Sequence, residues 1–459
     1  MLCSMLSESD NELLTRVGPG TPMGELLRRF WLPVLMAEEL PEPDCAPVKV
    51  RLLGEDLVAF RDTSGRLGLM AGRCAHRLAH LYYGRNEENG LRCAYHGWKF
   101  DVNGRCVDMP TAQPEEANFK DKVNLKAYTL REAAGILWAY MGPRDNVPDM
   151  PRLPLIEAKE GHRFAIKRYQ ESNYLQAIEG GIDSAHTRYL HTTLEFYNRS
   201  EAYLAAQRPL LERFKKDPNS LDPEELDAIF RTADKAPRVR ATRTDYGLAV
   251  GARTSVEGMS YWRFNQFLLP FYTMPPRDPG GHAFVPIDDN SCWVFTFRVN
   301  TKRPFSATEV RDMRTGLTSG RFGAPVDENY FPLAHSGNDF TLDREIQRDY
   351  NFTGIIGTGN QDMAVQVSMG TIVDRTQEHL GIIDTGIIEM RKLLLDLVRD
   401  HMAGKDPLAA TNPEVFAGVR GASLMRPNDV PYEDCVREVL ELIDQTKDRL
   451  AELRQPVGA

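Results

Sequence analysis

The chain has 459 residues, 42% of them apolar and 26% charged, and a net charge of −9. That composition gives an ample core, the acidic balance leaves no dominant basic face for nucleic acid, and no apolar run approaches the ~20 residues that span a bilayer. Seven cysteines (Cys3, Cys45, Cys74, Cys93, Cys106, Cys292 and Cys435) stand at irregular spacing, which predicts reduced thiols in a cytoplasmic protein and excludes a disulfide frame.

The N-terminus, MLCSMLSESDNELL, has no basic region followed by an apolar one, so no secretory signal is expected. Residues 1–43 predict a short helix and an extended, proline-punctuated arm, FWLPVLMAEELPEP. From Val48, VKVRLLGEDLVAFRDTSGRLGLM alternates in short runs separated by Gly-Glu-Asp and Thr-Ser-Gly, the pattern of hairpins. DVNGRC is a further turn, and AAGILWAYMGP reads as a buried strand closed by Gly-Pro. Residues 44–145 therefore predict a compact all-β domain.

The polar, proline-rich PRDNVPDMPRLP marks a boundary. Beyond it, residues 146–459 predict a second, larger domain. A helical pattern runs from Asn173 to Leu190. A charged insertion follows at 213–237, with a small helix starting at an Asp222-Pro223 cap. RVRATRTDY, LAVGARTSV, SYWRFNQFLL and SCWVFTFRVN read as strands, and residues 311–350 as loops. GIIEMRKLLLDLVRDHM and YEDCVREVLELIDQTKDRLAEL are amphipathic helices. The fold class is α+β: an all-β domain followed by an antiparallel sheet with helices.

Chemistry concentrates in CAHRLAHLYYGRNEENGLRCAYHGWKF, residues 74–100. A zinc clip, an iron–sulfur cluster and coincidence are the candidates. Structural zinc sites usually space paired ligands by two to four residues, and Cys74-x-His76 is tighter. Each of two loops offers one Cys and one His: Cys74 with His76, and Cys93 with His96. A two-iron cluster accounts for that pairing, with both thiolates on one iron and both imidazoles on the other. Neutral ligands on one iron raise the reduction potential. His80 fits no ligand position and reads as loop or surface.

Cys-x-His-Arg, then 15 residues, then Cys-x-x-His-Gly-Trp is similar to the Rieske [2Fe–2S] motif. Gly97 lets the chain turn close to such a cluster, and Trp98 shields it from water. A second constellation, Asp183-x-x-His186-x4-His191, lies in YLQAIEGGIDSAHTRYLHTT. Five residues on an ideal helix are about 140° apart, so the two histidines share a metal only where the helix ends or bulges. Otherwise they are surface or core histidines near a helix end. Beside a Rieske motif, the pattern resembles the mononuclear iron motif of the Rieske non-haem iron oxygenases.

That resemblance implies a helix-grip, START-like catalytic domain. It implies that His186, His191 and a distant carboxylate hold Fe(II) on one face, the other staying open to dioxygen and substrate. Asp362, in GTGNQDMAVQVSMG, is the expected carboxylate; Asp374 and Glu378, in DRTQEHLG, compete with it. Asp183 is implied to join His186 to His96 of a neighbouring chain, orienting both imidazoles, in a ring of subunits that is expected to be a homotrimer.

LLTRVGPGTPMGELLRRFWLPV, NYLQAIEGGIDSAH and DRTQEHLG resemble the phthalate-dioxygenase-like branch of these enzymes. That branch is built from one chain type. It holds ring dihydroxylases of aromatic acids and O-demethylases of methoxylated, lignin-derived aromatics, such as the 5,5′-dehydrodivanillate O-demethylase. The implied role is a terminal oxygenase that acts on an aromatic acid with O2, electrons coming from NAD(P)H through a separate ferredoxin or ferredoxin reductase. No Gly-x-Gly-x-x-Gly follows a strand here. O-demethylation is expected over cis-dihydroxylation, and the 213–237 insertion either enlarges the pocket or decorates the surface. A substrate carboxylate calls for an arginine fork, for which Arg240, Arg243 and Arg253 are the candidates. A Rieske electron carrier without catalysis and a zinc-stabilised binding module are the readings from other classes.

Overall fold

The computed structural model describes residues 6–116, 118–198, 201–217, 220–222, 225, 236–256, 258–276, 279–316 and 324–453. Most of the small helix expected after Asp222 lies outside them; its described residue Glu225 donates its N–H to Asp222 Oδ1 at 2.9 Å. Two helices open the chain, α1 (Glu8–Thr15) and α2 (Pro22–Leu27), capped by the hydroxyls of Ser7 and Thr21. Among the described residues no helix is long and apolar enough to cross a membrane.

The next ten strands are β1 (Trp31–Met36), β2 (Val48–Leu52), β3 (Glu55–Arg61), β4 (Leu67–Ala71), β5 (Arg85–Glu87), β6 (Gly90–Arg92), β7 (Lys99–Phe100), β8 (Cys106–Asp108), β9 (Ala127–Ala133) and β10 (Ile136–Tyr140). They form a six-stranded sheet in the order β1-β10-β9-β4-β3-β2 and a four-stranded sheet β5-β6-β7-β8. The extended arm thus supplies an edge strand, β1, paired with β10. Three hairpins close on two residues in the left-handed region: Leu53-Gly54, Glu88-Asn89 and Ala134-Gly135. Two successive residues of this conformation match the twist of the flanking strands. The first of these turns falls ahead of the Gly-Glu-Asp reading, because Glu55 already begins β3.

Strands β11 (Arg163–Gln170), β12 (Arg238–Thr244), β13 (Gly247–Val256), β14 (Met259–Leu268), β15 (Tyr272–Met274), β16 (Gly280–Asp288), β17 (Ser291–Val299) and β18 (Ala422–Pro427) form an eight-stranded antiparallel sheet. Its order is β11-β17-β16-β15-β14-β13-β12, with β18 pairing β14. The helices that matter for the site are α3 (Tyr174–Ile182), α4 (Thr358–Ser368) and α5 (Thr385–Met402); the long α6 (Tyr432–Leu453) also packs on this domain. The loop expected at 311–350 contains helical pieces at Ala307–Thr315 and Arg344–Asp349.

Glycine explains why α3 lies so close to its neighbours. A Cβ at Gly180 would stand 2.3 Å from Gln366 Nε2 of α4, and one at Gly181 would stand 2.6 Å from Thr273 Oγ1 of β15. The helix is held from its other side by charge. Glu179 accepts from Arg375 at 2.9 and 3.0 Å and from Arg391 of α5 at 2.7 Å. Arg391 also forks onto Glu378 at 2.6 and 2.9 Å. Both arginines are buried, so the network is a mutual neutralisation that fails if one partner is lost. Burial opposes the ionisation of Glu179, but the two guanidiniums outweigh it and hold the carboxyl below the usual range. Glu179→Gln is expected to destabilise the protein by about 3–5 kcal/mol, read as a lowered denaturant midpoint at unchanged slope.

Candidate metal centres

The two Cys/His loops have one shape. Cys74 N donates to Ala79 O at 2.8 Å and Leu78 N to Cys74 O at 2.9 Å; Cys93 N donates to Trp98 O at 2.8 Å and Gly97 N to Cys93 O at 3.0 Å. The fifth residue of each loop is left-handed, Leu78 at φ 61° and Gly97 at φ 77°. Glycine is required only in the second loop, where a Cβ would stand 2.6 Å from Pro110 Cγ. Both cysteines are buried. Burial and the neighbouring Cys93 sulfur push the Cys74 thiol up to about 11, so a thiolate there needs a cation to hold it.

The imidazoles of His76 and His96 lie side by side, ring centres 4.4 Å apart. Trp98 stacks on His76 at 4.5 Å. His76 Nδ1 is buried and without a hydrogen-bond partner, as suits a nitrogen that ligates a metal. The four donor groups do not gather around one point; among the described residues only His186, His191 and Asp362 do so, with donor atoms within 4.8 Å of one another. A single tetrahedral zinc would need all four loop donors at such range. A two-iron cluster, with thiolates at one end and imidazoles at the other, does not. His80 stands apart: its Nδ1 accepts from Tyr82 N at 3.1 Å and caps a short 3-10 turn.

The second centre is built at the end of α3. The helix stops at Ile182, Asp183 forms its C-cap, and residues His186–Arg188 make a 3-10 turn. The helical pattern expected to Leu190 thus ends earlier, and that ending frees both histidines from the 140° problem. His186 Nε2 and His191 Nε2 are 3.2 Å apart. Asp362 Oδ1, from the first turns of α4, lies 3.1 Å from His191 Nε2 and 3.6 Å from His186 Nε2. Ligands about 2.1 Å from one metal and about 90° apart have donors about 3 Å from each other, so the set fits one ion. Its composition is a two-histidine, one-carboxylate face suited to non-haem iron.

The other nitrogen of each imidazole is held. His186 Nδ1 pairs with Asp183 Oδ2 at 3.2 Å, while Ala185 N donates to Asp183 Oδ1 at 2.7 Å. His191 Nδ1 donates to Gln361 Oε1 at 2.8 Å. The Gln361 amide is oriented because its Nε2 donates to Ile355 O at 2.9 Å. Both Nε2 atoms are thereby left to face Asp362. Burial opposes the charge on Asp362, but His191, His186 and the Arg168 guanidinium hold its carboxyl below the usual range. Gln361 is a partner that sequence reading missed; its signal was its place beside Asp362 in the NQD run.

The competing carboxylates are engaged elsewhere. Asp374 is exposed and caps the turn at Arg375–Gln377, and Glu378 belongs to the Arg391 fork. The three expected arginines are also corrected. Arg240 faces Glu433 at 3.4 Å and Arg243 faces Asp396 at 2.8 Å, all well exposed. Arg253 donates to Ser260 Oγ at 2.7 Å and to Asn428. Their strands lie at the β12 edge of the sheet, away from β11. Arg168 and Arg263 are two described cations whose charge reaches the triad.

Comparison with known proteins gives the family. The family model "Rieske [2Fe-2S] domain" matches residues 30–129, and "LigXa C-terminal domain like" matches residues 223–425. The oxygenase subunit of phthalate 4,5-dioxygenase from Pseudomonas putida is 38% identical, over 94% of each chain. The oxygenase subunit of 5,5′-dehydrodivanillate O-demethylase from Sphingobium sp. is 34% identical, over 88% of this chain and 83% of its own. Among solved structures, NdmA of Pseudomonas putida CBB5 with caffeine shares the fold at a TM-score of 0.51 and 18% identity, covering 90% of this chain and 100% of that one. With its paired Cys/His loops and its two-histidine, one-carboxylate face in one polypeptide, the chain belongs to the Rieske non-haem iron oxygenases, as an oxygenase component related to the phthalate dioxygenase and O-demethylase subunits.

Proposed function

We propose that this chain is a terminal oxygenase that receives electrons from a separate ferredoxin or ferredoxin reductase drawing on NAD(P)H, and uses them with dioxygen to oxidise an aromatic carboxylate. The observation that carries this reading is the convergence of His186, His191 and Asp362, whose donor atoms lie within 4.8 Å of one another, in the chain that also holds the Cys/His loops. Cys74, His76, Cys93 and His96 hold the [2Fe–2S] cluster; His186, His191 and Asp362 hold Fe(II). The cluster supplies single electrons, and the mononuclear iron supplies the oxidising chemistry. The protein's own part is to fix ligand orientation through Asp183 and Gln361 and to leave one face of the ion uncovered.

Electron transfer runs between subunits of a homotrimer, from His96 of one chain to Asp183 of the next. Asp183 and His96 are both partly exposed. Apolar side chains stand out around the loops, at Leu78 and Tyr95, and around the iron helix, at Ile356 and Met369. Two such patches suit a head-to-tail contact that closes a ring.

The aromatic-acid substrate is supported by the phthalate relative, matched over 94% of both chains. Ring cis-dihydroxylation is the first reading for the product, since the demethylase relative is matched less fully. The 213–237 insertion, whose part in the pocket is open, lies mostly outside the described residues. O-demethylation of a methoxylated acid is the second reading, favoured by that same relative. Purified holoprotein, a generic reductase and NADH are incubated with phthalate and methoxybenzoates. A cis-diol supports the first reading and formaldehyde the second. Release of neither, with every acid and with the mononuclear iron in place, sinks the substrate class.

A further inference from the structure

Arg168 stands on β11, directly opposite Val294 of β17, with Phe284 of β16 next in register. Alternation along the strands puts Cys292, Thr296 and His282 on the same face. Arg168 is 6% exposed. Lys167, Arg28, Arg375 and Arg391 are comparably buried, and each meets a carboxylate. Arg168 has no ion-pair or hydrogen-bond partner among the described residues, and its Nε is buried and unpartnered.

No carboxylate pairs with it directly among the described residues. Its charge reaches Asp362, but that carboxylate is directed at the two Nε2 atoms. His282 bonds to Thr296 Oγ1 at 3.1 Å and is neutral near pH 7, burial and the Arg168 cation pushing it down to about 4. Thr273, paired with His282 across β15 and β16, has a buried hydroxyl without a partner. Fe(II) with one carboxylate ligand carries net positive charge, so occupying the triad leaves Arg168 more in need of an anion. A buried cation kept without one is costly unless a ligand brings it.

We infer that Arg168 is the anchor for the carboxylate of the aromatic substrate, its guanidinium fork fixing the acid group on the sheet floor beside Asp362. The inference rests on the aromatic-acid reading above and names the residue that enforces it. A planar fork recognises a carboxylate bidentately, and the corresponding amide cannot repay the buried charge.

The test measures binding to the holoenzyme by calorimetry, with phthalate, benzoate and 3-methoxybenzoate against their amides. Wild type is expected to prefer at least one acid over its amide by more than about thirtyfold. Arg168→Met is expected to abolish that preference, weakening the acid at least about thirtyfold and the amide less than about threefold. It is also expected to keep its iron, to match or exceed the thermal midpoint of substrate-free wild type, and to lose the rise in midpoint that the acid gives wild type. A fall in iron content or in midpoint without ligand would instead assign Arg168 to holding Asp362, and would overturn the inference. Arg168→Met that keeps the preference overturns the anchor while the aromatic-acid reading stands; wild type with no preference overturns both. Should Arg168→Met not fold, Arg168→Lys decides: weaker acid binding with unchanged amide binding supports the fork, and unchanged acid binding refutes it.

Discussion

Asp362→Ala is expected to release the mononuclear iron while leaving the cluster intact. Asp362 is the one anionic donor of the triad, since His186 and His191 contribute neutral nitrogens once bound. Without it, two imidazoles 3.2 Å apart remain, a weak and incomplete site. Partners one layer out from a metal typically cost 10–100-fold when lost, so removal of a ligand is expected to cost at least about a hundredfold in turnover. The measurement is iron and sulfide content together with visible absorbance. The variant should keep the cluster's two irons and its colour and lose the third iron. Retention of the third iron at wild-type occupancy would transfer the role to another carboxylate.

Asp183→Asn separates metal holding from electron delivery. The change keeps shape and an oxygen that can still accept from Ala185 N, which donates to Oδ1 at 2.7 Å. It removes the negative charge that pairs with His186 Nδ1 at 3.2 Å. Burial disfavours charge on His186, but Asp183 raises its proton affinity, and the same field raises its basicity as a ligand. Both metal centres should remain loaded, and the reductase should still reduce the cluster. Reoxidation of the reduced cluster in the presence of substrate and dioxygen should slow by about a hundredfold or more, the upper end of what orienting partners of metal-bound histidine contribute. Full turnover in this variant would show that electrons reach the triad by another route.

Legibility in the sequence followed the range of the interactions. The long amphipathic helices α5 and α6 and strands β12, β13, β14 and β17 stand close to where their patterns put them, because each pattern is local and one-sided. The ligand candidates were legible because their spacing is itself local: Cys74 to His76, Cys93 to His96, and Asp183 to His191. Strand β11, RFAIKRYQ, was not legible, as two adjacent cations interrupt its alternation. Its meaning lies in the partners that Lys167 has and Arg168 lacks. The choice among Asp362, Asp374 and Glu378 also needed the fold, for only tertiary structure brings Arg391 to Glu378 and His191 to Asp362. The arginine candidates failed for a related reason. Arg240, Arg243 and Arg253 are on strands of the correct sheet, but strand order sets them at the edge far from β11.

The attachment of α3 has a consequence for the order in which the protein matures. Asn173, which caps α3, donates to Thr15 O at 3.0 Å, and Tyr174 donates to Leu14 O at 2.7 Å. Asn11 donates to Val373 O at 2.9 Å, across 362 positions of sequence. Glu179 waits for Arg375 and Arg391. Contacts of such separation form late, after the loops between them have closed. Synthesis proceeds from the N-terminus, so the cluster domain has left the ribosome while Val373, Arg375 and Arg391 are still untranslated. The residues of the iron–sulfur loops are therefore all synthesised well before those of the mononuclear site, whose last ligand is Asp362 and whose supporting network ends at Arg391.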